Sequence, residues 1–189
     1  MQRREPEESK FTTSNEPAYR FCPMCGHELC ARVLKVSEPE RLVCEACQFV
    51  MYLDPKVAAG AIATIGGQVV LLRRGIEPCL GKWVFPGGFV DRGETVEQAV
   101  IRETKEEANL DVEIERLLNV YSYKGRPIVV IVYVVRIVGG DLQAGDETLE
   151  ARTFPADRIP WDDLAFPSTK DALRDYVASL ASRPAEDLP

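Results

Sequence analysis

Residues 87–110 read GGFVDRGETVEQAVIRETKEEANL, and the rest of the chain is interpreted around this stretch. It places Glu103, Glu106 and Glu107 within about one helical turn, where residues three and four apart share a face. Like charges at this spacing destabilise a helix by a few tenths of a kcal/mol per pair. A divalent cation on this face would explain the cluster, because Mg²⁺ and Ca²⁺ take oxygen ligands. A solvated acidic helix face is the alternative interpretation.

The residues around the acidic cluster predict a loop followed by a helix. Thr95 is a good N-cap, and Gln98 three residues later completes a capping box. Asn109 stands where the helix should end, since asparagine tolerates the left-handed conformation. Gly87 and Gly88 precede the helix and allow the backbone to approach a ligand closely.

The complete spacing of this stretch resembles the Nudix box. Five residues follow the glycine, seven more follow the first glutamate, and an Arg-Glu and a Glu-Glu pair complete the pattern. Its members are Gly88, Glu94, Arg102, Glu103, Glu106 and Glu107.

The resemblance implies roles for these residues. The three clustered glutamates match residues that bind divalent ions, Mg²⁺ or Mn²⁺, and the carbonyl of Gly87 matches a further ligand. Glu94 and Arg102 match a pair that braces the loop against the helix. Thr104 replaces the usual aliphatic residue and Asn109 the usual glycine, but neither position is a metal ligand.

Length and charge set bounds on the function. With 189 residues, of which 46% are apolar, the chain fits one ordinary domain and a small appendage. The net charge of −7 argues against a general nucleic-acid binder. The sequence has no apolar run long enough to span a bilayer, and its first ten residues lack the apolar region of a signal peptide. We therefore expect a soluble, cytoplasmic protein.

Two Cys-x-x-Cys pairs, eighteen residues apart, predict a structural zinc site. Tetrahedral Zn²⁺ would take the four thiolates of Cys22, Cys25, Cys44 and Cys47. A disulfide is one alternative, which a reducing cytoplasm disfavours. A redox pair is another, which the presence of two matched Cys-x-x-Cys pairs disfavours. His27, the one histidine, is expected on the surface or in packing. Cys30 and Cys79 are expected to be ordinary thiols, because a catalytic cysteine would need a histidine partner.

The expected fold is α/β: a Nudix α/β/α sandwich with a mixed sheet, preceded by a small zinc ribbon. We predict a flexible tail over 1–20, the ribbon over 21–52, the Nudix hydrolase domain over 53–182 and a tail over 183–189.

Within the main domain, several β-rich runs predict strands. Residues 58–65 and 68–74 flank a Gly-Gly pair and predict a hairpin. Residues 127–138 are almost continuously apolar and β-branched, which predicts a central strand beside 111–123. A loop is expected over 141–150, then a strand, and a final helix capped by Ser168.

An additional carboxylate is expected near the metal site. The resemblance implies that a loop after the box brings one more glutamate to the ions, as a ligand or as the general base. Glu147 and Glu150 are the two candidates. A box glutamate is the alternative for the general base. A glutamate that already coordinates metal has a low pKa and is a poor base, however, which favours such an extra residue.

Five further residues are candidates for substrate binding. Arg73 and Arg74 end a predicted strand, where they could contact phosphate or simply be solvated. Tyr121, Tyr123 and Phe166 could offer ring surfaces to a nucleobase, with a place in the core as the alternative.

A wider resemblance suggests the substrate class. The segments CPMCG, CEACQFVMYLDPK, the box and DETLEARTFPADRIPWDDLAFPST follow one another as in the plant FAD-pyrophosphatase type, over residues 21–180. This similarity implies hydrolysis of a dinucleotide, FAD, to AMP and FMN. A ribbon before a Nudix domain is also similar to NADH pyrophosphatases, but their Ser-Gln-Pro-Trp-Pro-Phe-Pro signature is absent after the box.

Other functions remain open from the sequence. NADH or ADP-ribose is the alternative substrate, and the cap of NAD-capped RNA is a less favoured one. The alternative of another class is a non-catalytic nucleotide sensor or a nucleic-acid-binding regulator. Such a protein would be expected to have lost carboxylates of the box, but all three metal-binding glutamates are present here. Many relatives dimerise, so a homodimer is possible.

Overall fold

The computed structural model describes residues 19–181, which form two compact units divided after Asp54. The sequence places the domain boundary two residues earlier. Most of the predicted tail over 1–20 and all of the tail over 183–189 lie outside the described residues. Within the described part of the chain, no helix is both long and apolar enough to cross a membrane.

The first unit is a small three-stranded antiparallel sheet. Its strands follow chain order and are β1 (Leu29–Arg32), β2 (Arg41–Cys44) and β3 (Val50–Met51). Its buried apolar core contains only four residues, Cys22, Leu29, Leu42 and Cys44. Because a core of this size gives little hydrophobic stabilisation, the unit needs another source of stability.

The second unit contains the remaining strands and both long helices. In chain order its elements are β4 (Lys56–Ile62), β5 (Thr64–Ile65), β6 (Gln68–Arg74), β7 (Trp83–Val84), β8 (Gly87–Phe89), α1 (Val96–Ala108), β9 (Leu110–Ser122), β10 (Ile128–Gly140), β11 (Thr148–Phe154), a 3₁₀ turn (Ala156–Arg158) and α2 (Pro167–Ala181).

The strands of the second unit form two sheets. The mixed sheet has the order β8-β4-β10-β9, in which β10 is parallel to β4 and antiparallel to β9. The other sheet is antiparallel, with the order β11-β6-β5 and β7 paired to β6. The apolar run over 127–138 is thus a central strand, as predicted.

The helices cover opposite faces of the sheets. Successive side chains of a strand point to opposite faces. Leu72 belongs to the core cluster that contains Val100 of α1, whereas the adjacent Leu71 belongs to the cluster that contains Leu173 of α2. This alternation gives the α/β/α sandwich with a mixed sheet that the sequence predicts.

The predicted hairpin over 58–65 and 68–74 is only partly correct. The first run is interrupted at Ala63, whose carbonyl accepts the N–H of Val70. Before this residue the chain belongs to β4 in the mixed sheet, and only β5 pairs with β6. Gly66 and Gly67 make the turn with φ of 56° and 75°, values that glycine adopts without a steric penalty. The sequence of residues 58–65 does not show where the chain leaves the mixed sheet for the antiparallel one.

The predicted N-cap of the last helix is wrong. Helix α2 begins at Pro167, so Ser168 is its second residue and is buried. Proline suits the first helical position because it lacks an N–H that would have no partner there.

Candidate active site

Helix α1 begins and ends where the sequence predicts. The N–H of Gln98 donates to Thr95 Oγ1 at 3.2 Å, and the N–H of Thr95 donates to Gln98 Oε1 at 2.8 Å. Asn109 follows the last residue in the left-handed conformation with φ of 55°. Thr104 is fully buried and donates its hydroxyl to the carbonyl of Val100 at 2.7 Å, which satisfies its polar group inside the core.

Arg102 joins the loop before α1 to the carboxylates on the helix. It donates to both oxygens of Glu94, at 2.7 and 3.1 Å, and to the carbonyl of Phe89 at 3.1 Å. It also donates to Glu103 at 2.8 Å and to Glu106 at 3.2 Å. The hydrogen bond from Arg102 holds the pKa of Glu94 below its usual value. The pair therefore has the bracing geometry that the resemblance implies.

Two glycines bring backbone close to two half-buried carboxylates. Gly87 donates its N–H to Glu107 Oε2 at 2.8 Å. A Cβ added to Gly88 would lie 2.4 Å from a carboxylate oxygen of Glu103, so a larger residue would displace that side chain. Burial raises the pKa of Glu103, and raises the pKa of Glu107 to about 7. A raised pKa means that the ionised form of a carboxylate is disfavoured, and a nearby cation would stabilise that ionised form.

An open cavity of about 500 Å³ lies over this helix face. Its lining consists of the three box glutamates and three residues of the loop after β10: Glu103, Glu106, Glu107, Gly145, Asp146 and Glu147. Of the two extra glutamates predicted from sequence, Glu147 lines the cavity. Glu150 does not line it, because it lies within β11, opposite Arg73 of β6, and not in the predicted loop.

Backbone hydrogen bonds fix the loop that carries Glu147. The N–H of Gly145 donates to the carbonyl of Glu107 at 3.0 Å, and the N–H of Gly75 donates to the carbonyl of Glu147 at 2.7 Å. A Cβ on Gly145 would lie 2.1 Å from the carbonyl oxygen of Glu106. Gly145 is not among the site residues expected from sequence, although an isolated glycine in a polar loop is a signal of close backbone approach.

The two arginines at the end of β6 have different surroundings. Arg73 is exposed and donates to the carbonyl of Gly81 at 3.0 Å. Arg74 is half-buried, donates to the carbonyl of Pro78 at 2.8 Å, and has its guanidinium 5.1 Å from the ring centre of Phe166. The positive charge of Arg74 also opposes the rise in the pKa of Glu107. The charge of Arg74 therefore acts on Glu107 in the glutamate cavity.

The two tyrosine candidates pack against α2. Tyr121 is 7% exposed, its ring lies in the core, and its hydroxyl donates to Asp175 at 2.8 Å. Tyr123 is half-buried and donates to Asp171 at 2.7 Å. Burial raises the pKa of both phenols. In this conformation the ring of Tyr121 is covered, which fits the core alternative for that residue.

A second cavity, of about 400 Å³, lies at the start of α2. It contains Phe166, the remaining candidate for substrate binding. Its lining is Trp161, Asp162, Leu164, Ala165, Phe166, Pro167, Lys170 and Asp171.

The four cysteines of the ribbon come together as predicted. The Sγ atoms of Cys22, Cys25, Cys44 and Cys47 all lie within 4.8 Å of one another. Such a group could hold one tetrahedral metal ion. His27 is exposed and Cys30 lies outside the group, so neither extends the ligand set.

The donor set of the glutamate cavity fits hard divalent cations, which prefer carboxylate oxygens. Its carboxylates are spread around the cavity: Arg102 holds Glu103 and Glu106, while Glu107 bonds to Gly87. Within residues 19–181, only the cysteine group has all its ligand atoms within 4.8 Å. The cavity thus combines excess negative charge, an arginine clamp and space for a ligand.

Comparison with known proteins agrees with this geometry. The NUDIX domain family model matches residues 54–176, and the Nudix N-terminal zinc-ribbon model matches residues 20–53. The chain is 40% identical over 131 residues to the ADP-ribose pyrophosphatase of Methanocaldococcus jannaschii, covering 67% of this chain and 76% of that protein. It is 28% identical over 177 residues to the NAD-capped RNA hydrolase NudC of Stutzerimonas stutzeri, covering 90% of this chain and 60% of that protein.

A solved structure shares the fold over most of this chain. The crystal structure of a NUDIX hydrolase from Nitrosomonas europaea superimposes with a TM-score of 0.82 at 37% identity, covering 88% of this chain and 96% of that one. The family model spans well over half of this chain, and the relatives are named as hydrolases and pyrophosphatases. The chain therefore belongs to the Nudix family of pyrophosphohydrolases, with an N-terminal zinc-ribbon segment.

Proposed function

We propose that this chain hydrolyses the diphosphate of a nucleoside diphosphate linked to a second group. A water oxygen bonds to one phosphorus, the bond from that phosphorus to the bridging oxygen breaks, and the products are a nucleoside monophosphate and the phosphorylated second group. The observation that carries this proposal is the cavity over α1. There Glu103, Glu106 and Glu107 face Glu147 of the loop after β10.

The box carboxylates would hold the ions that the reaction requires. Mg²⁺ or Mn²⁺ bound by Glu103, Glu106, Glu107 and the carbonyl of Gly87 would neutralise the diphosphate and lower the pKa of a bound water. The protein keeps these groups in place through Arg102, which ties the helix to the preceding loop.

Glu147 is the better placed candidate for the general base. It lines the cavity, is exposed to solvent and is not hydrogen-bonded to Arg102 in the way that Glu103 and Glu106 are. A carboxylate that lines the cavity but is not one of the proposed metal ligands can take the proton of the attacking water. Glu150, in the ladder between β11 and β6, is the weaker candidate.

Two substrates remain candidates, and different observations favour them. The order of motifs over residues 21–180 resembles the plant FAD-pyrophosphatase type, which favours FAD. The 40% identity with the Methanocaldococcus jannaschii protein, named as an ADP-ribose pyrophosphatase, favours ADP-ribose. Both substrates contain an AMP half, so the same cleavage would release AMP from either.

The ribbon is proposed to bind one structural Zn²⁺ through Cys22, Cys25, Cys44 and Cys47. Four protein ligands leave no open position for catalysis. All six cysteines are unpaired by disulfides, which fits a reducing compartment such as the cytoplasm.

The test is product analysis with FAD, ADP-ribose, NADH and a nucleoside triphosphate, each with Mg²⁺ or Mn²⁺. Wild type is compared with Glu107→Gln and with Glu113→Gln, a surface glutamate that pairs with Arg136. We expect AMP and the phosphorylated second group from wild type and Glu113→Gln, and a loss of turnover in Glu107→Gln. No turnover of any substrate would contradict the proposal and favour a nucleotide-sensing regulator.

A further inference from the structure

The second cavity has the composition of a site for a planar ring. Trp161 and Phe166 are half-buried: part of each ring packs against the core, and each also lines the cavity. Lys170 and Asp171, from the first turns of α2, add a donor and an acceptor to the same lining. Sites for small ligands commonly combine apolar and aromatic walls with a few fixed polar groups, in volumes of about 300–1,000 Å³.

The polar group Asp171 is held in a fixed position. The hydroxyl of Tyr123 donates to one of its carboxylate oxygens at 2.7 Å, and the guanidinium of Arg174 lies 3.6 Å from the other. Arg174 also lies 6.0 Å from the ring centre of Trp161. An acceptor fixed in this way can select among flat heteroaromatic rings by their edge N–H groups.

Arg74 connects this cavity with the glutamate cavity. Its guanidinium lies over the ring of Phe166 at 5.1 Å, and its Cα is opposite Thr148 in the pairing of β6 with β11. The next residue, Gly75, donates its N–H to the carbonyl of Glu147, which lines the glutamate cavity. The end of β6 therefore contacts one lining residue of each cavity, Phe166 and Glu147, and Arg74 adds a positive charge there.

We infer that the cavity beside Phe166 binds the planar heteroaromatic ring at one end of the substrate, while Arg74 contacts the phosphate that connects it to the glutamate cavity. This inference rests on the proposed function and adds to it the part of the substrate that is recognised. The ring can be the adenine or the flavin of a dinucleotide, because both present a flat face and polar edges. Stacking on aromatic side chains tolerates different rings, since every ring offers a π-face.

The test measures binding without turnover, by titration calorimetry with AMP, FMN and ribose 5-phosphate. Wild type is compared with Phe166→Leu, which removes the ring, and with Phe166→Tyr, which keeps it. Phe154→Leu is the matched control, because Phe154 is also half-buried but packs edge-on against Trp83 outside the cavity. The melting temperature of each variant shows whether it folds.

We expect Phe166→Leu to weaken binding of at least one of AMP and FMN by about 10-fold or more. Phe166→Tyr and Phe154→Leu should bind as wild type does, and ribose 5-phosphate should be insensitive to all three substitutions. Whichever mononucleotide responds identifies the ring in the cavity. Equal weakening of ribose 5-phosphate, or an equal effect of Phe154→Leu, would overturn the inference.

Failure of this inference can be distinguished from failure of the proposed function. If wild type hydrolyses FAD or ADP-ribose while Phe166→Leu keeps its affinity for both mononucleotides, hydrolysis stands and the ring site is wrong. If no substrate is hydrolysed but nucleotide binding still depends on the ring of Phe166, the ring site stands and the chain is not a hydrolase of these substrates.

Discussion

The guanidinium of Arg102 binds both carboxylate oxygens of Glu94, at 2.7 and 3.1 Å, while its other nitrogen reaches Glu103 at 2.8 Å. One side chain thus ties the loop before α1 to the proposed metal-binding face. Glu94 holds the arginine in this position and does not line the glutamate cavity.

The first prediction concerns Glu94→Gln. The amide keeps the size of the side chain but loses one acceptor and the charge, so Arg102 should shift toward Glu103 and Glu106. We expect kcat/KM to fall by about 10–100-fold, with a weaker apparent affinity for Mg²⁺, because groups that orient metal ligands have effects of this size. Metal titrations of the initial rate measure both quantities. Glu113→Gln removes another Arg–Glu pair, on the surface, and should leave the rate unchanged. An equal fall in kcat/KM for Glu113→Gln would disprove the explanation that Glu94 acts by holding Arg102 in position.

The second prediction separates the two candidate bases. Glu147→Gln should lower kcat by about 100-fold or more with little change in KM, because loss of a general base typically has an effect of at least this size. Glu150→Gln, only three residues away and in the β11–β6 ladder, should change kcat little. The two variants remove the same charge, so each is a control for the other. A larger fall in kcat for Glu150→Gln than for Glu147→Gln would assign the role of general base to Glu150.

The local structure of the box could be predicted from sequence because short-range chemistry determines it. The capping box of Thr95 and the left-handed Asn109 occur as predicted, since each depends on residues a few positions away. The cysteine group is likewise encoded by two short repeats with a suitable separation.

The placement of distant residues could not be predicted in this way. Whether Glu147 or Glu150 lines the cavity depends on where β11 begins, and the strand begins at Thr148 because it pairs with the end of β6. Tyr121 and Phe166 are both aromatic residues in apolar surroundings. Only the packing of α2 and its preceding loop shows that the first is covered and the second lines a cavity.

The third prediction tests the close approach of Gly145 to α1. In Gly145→Ala the new Cβ would meet the carbonyl oxygen of Glu106 at 2.1 Å, so the loop or the end of the helix must move. We expect a loss of stability of about 1–3 kcal/mol, as for other overpacked sites. We also expect a fall in kcat, because Glu147 is carried by the same loop. Chemical denaturation and initial rates measure the two effects. The neighbouring Ala144→Ser also adds one heavy atom to the same loop, but at an exposed position, and should be neutral.

The fourth prediction concerns acid stability and Asp175. Hydrogen bonds from Asn119 and Tyr121 lower the pKa of Asp175 in the folded state. A lowered pKa stabilises the fold above the unfolded value of about 3.9, and this contribution is lost as pH falls through the folded pKa. Asp175→Asn should therefore cost stability at pH 7, by less than about 1 kcal/mol because the group is exposed.

The same substitution should reduce the acid sensitivity of the fold. Between about pH 5 and pH 2, the difference in melting temperature between wild type and Asp175→Asn should shrink. Asp157→Asn is the control, because it removes an exposed carboxylate that takes no part in the hydrogen bonds from Asn119 and Tyr121. A constant difference across the whole range would show that ionisation of Asp175 does not contribute.

The fifth prediction compares two cysteines of the ribbon. Cys44 is fully buried within the cysteine group, and its loss would leave three thiolates where tetrahedral Zn²⁺ takes four. Metal binding supplies folding free energy to small domains of this kind, so Cys44→Ser should release zinc and unfold the ribbon. Cys30 is an exposed residue of β1 outside the group, and Cys30→Ser should retain about one zinc per chain. Zinc content and proteolysis of the ribbon measure the outcome. If both variants keep their zinc, the four-cysteine site is wrong; if Cys44→Ser loses it and the main domain still melts cooperatively, the metal stabilises the ribbon alone.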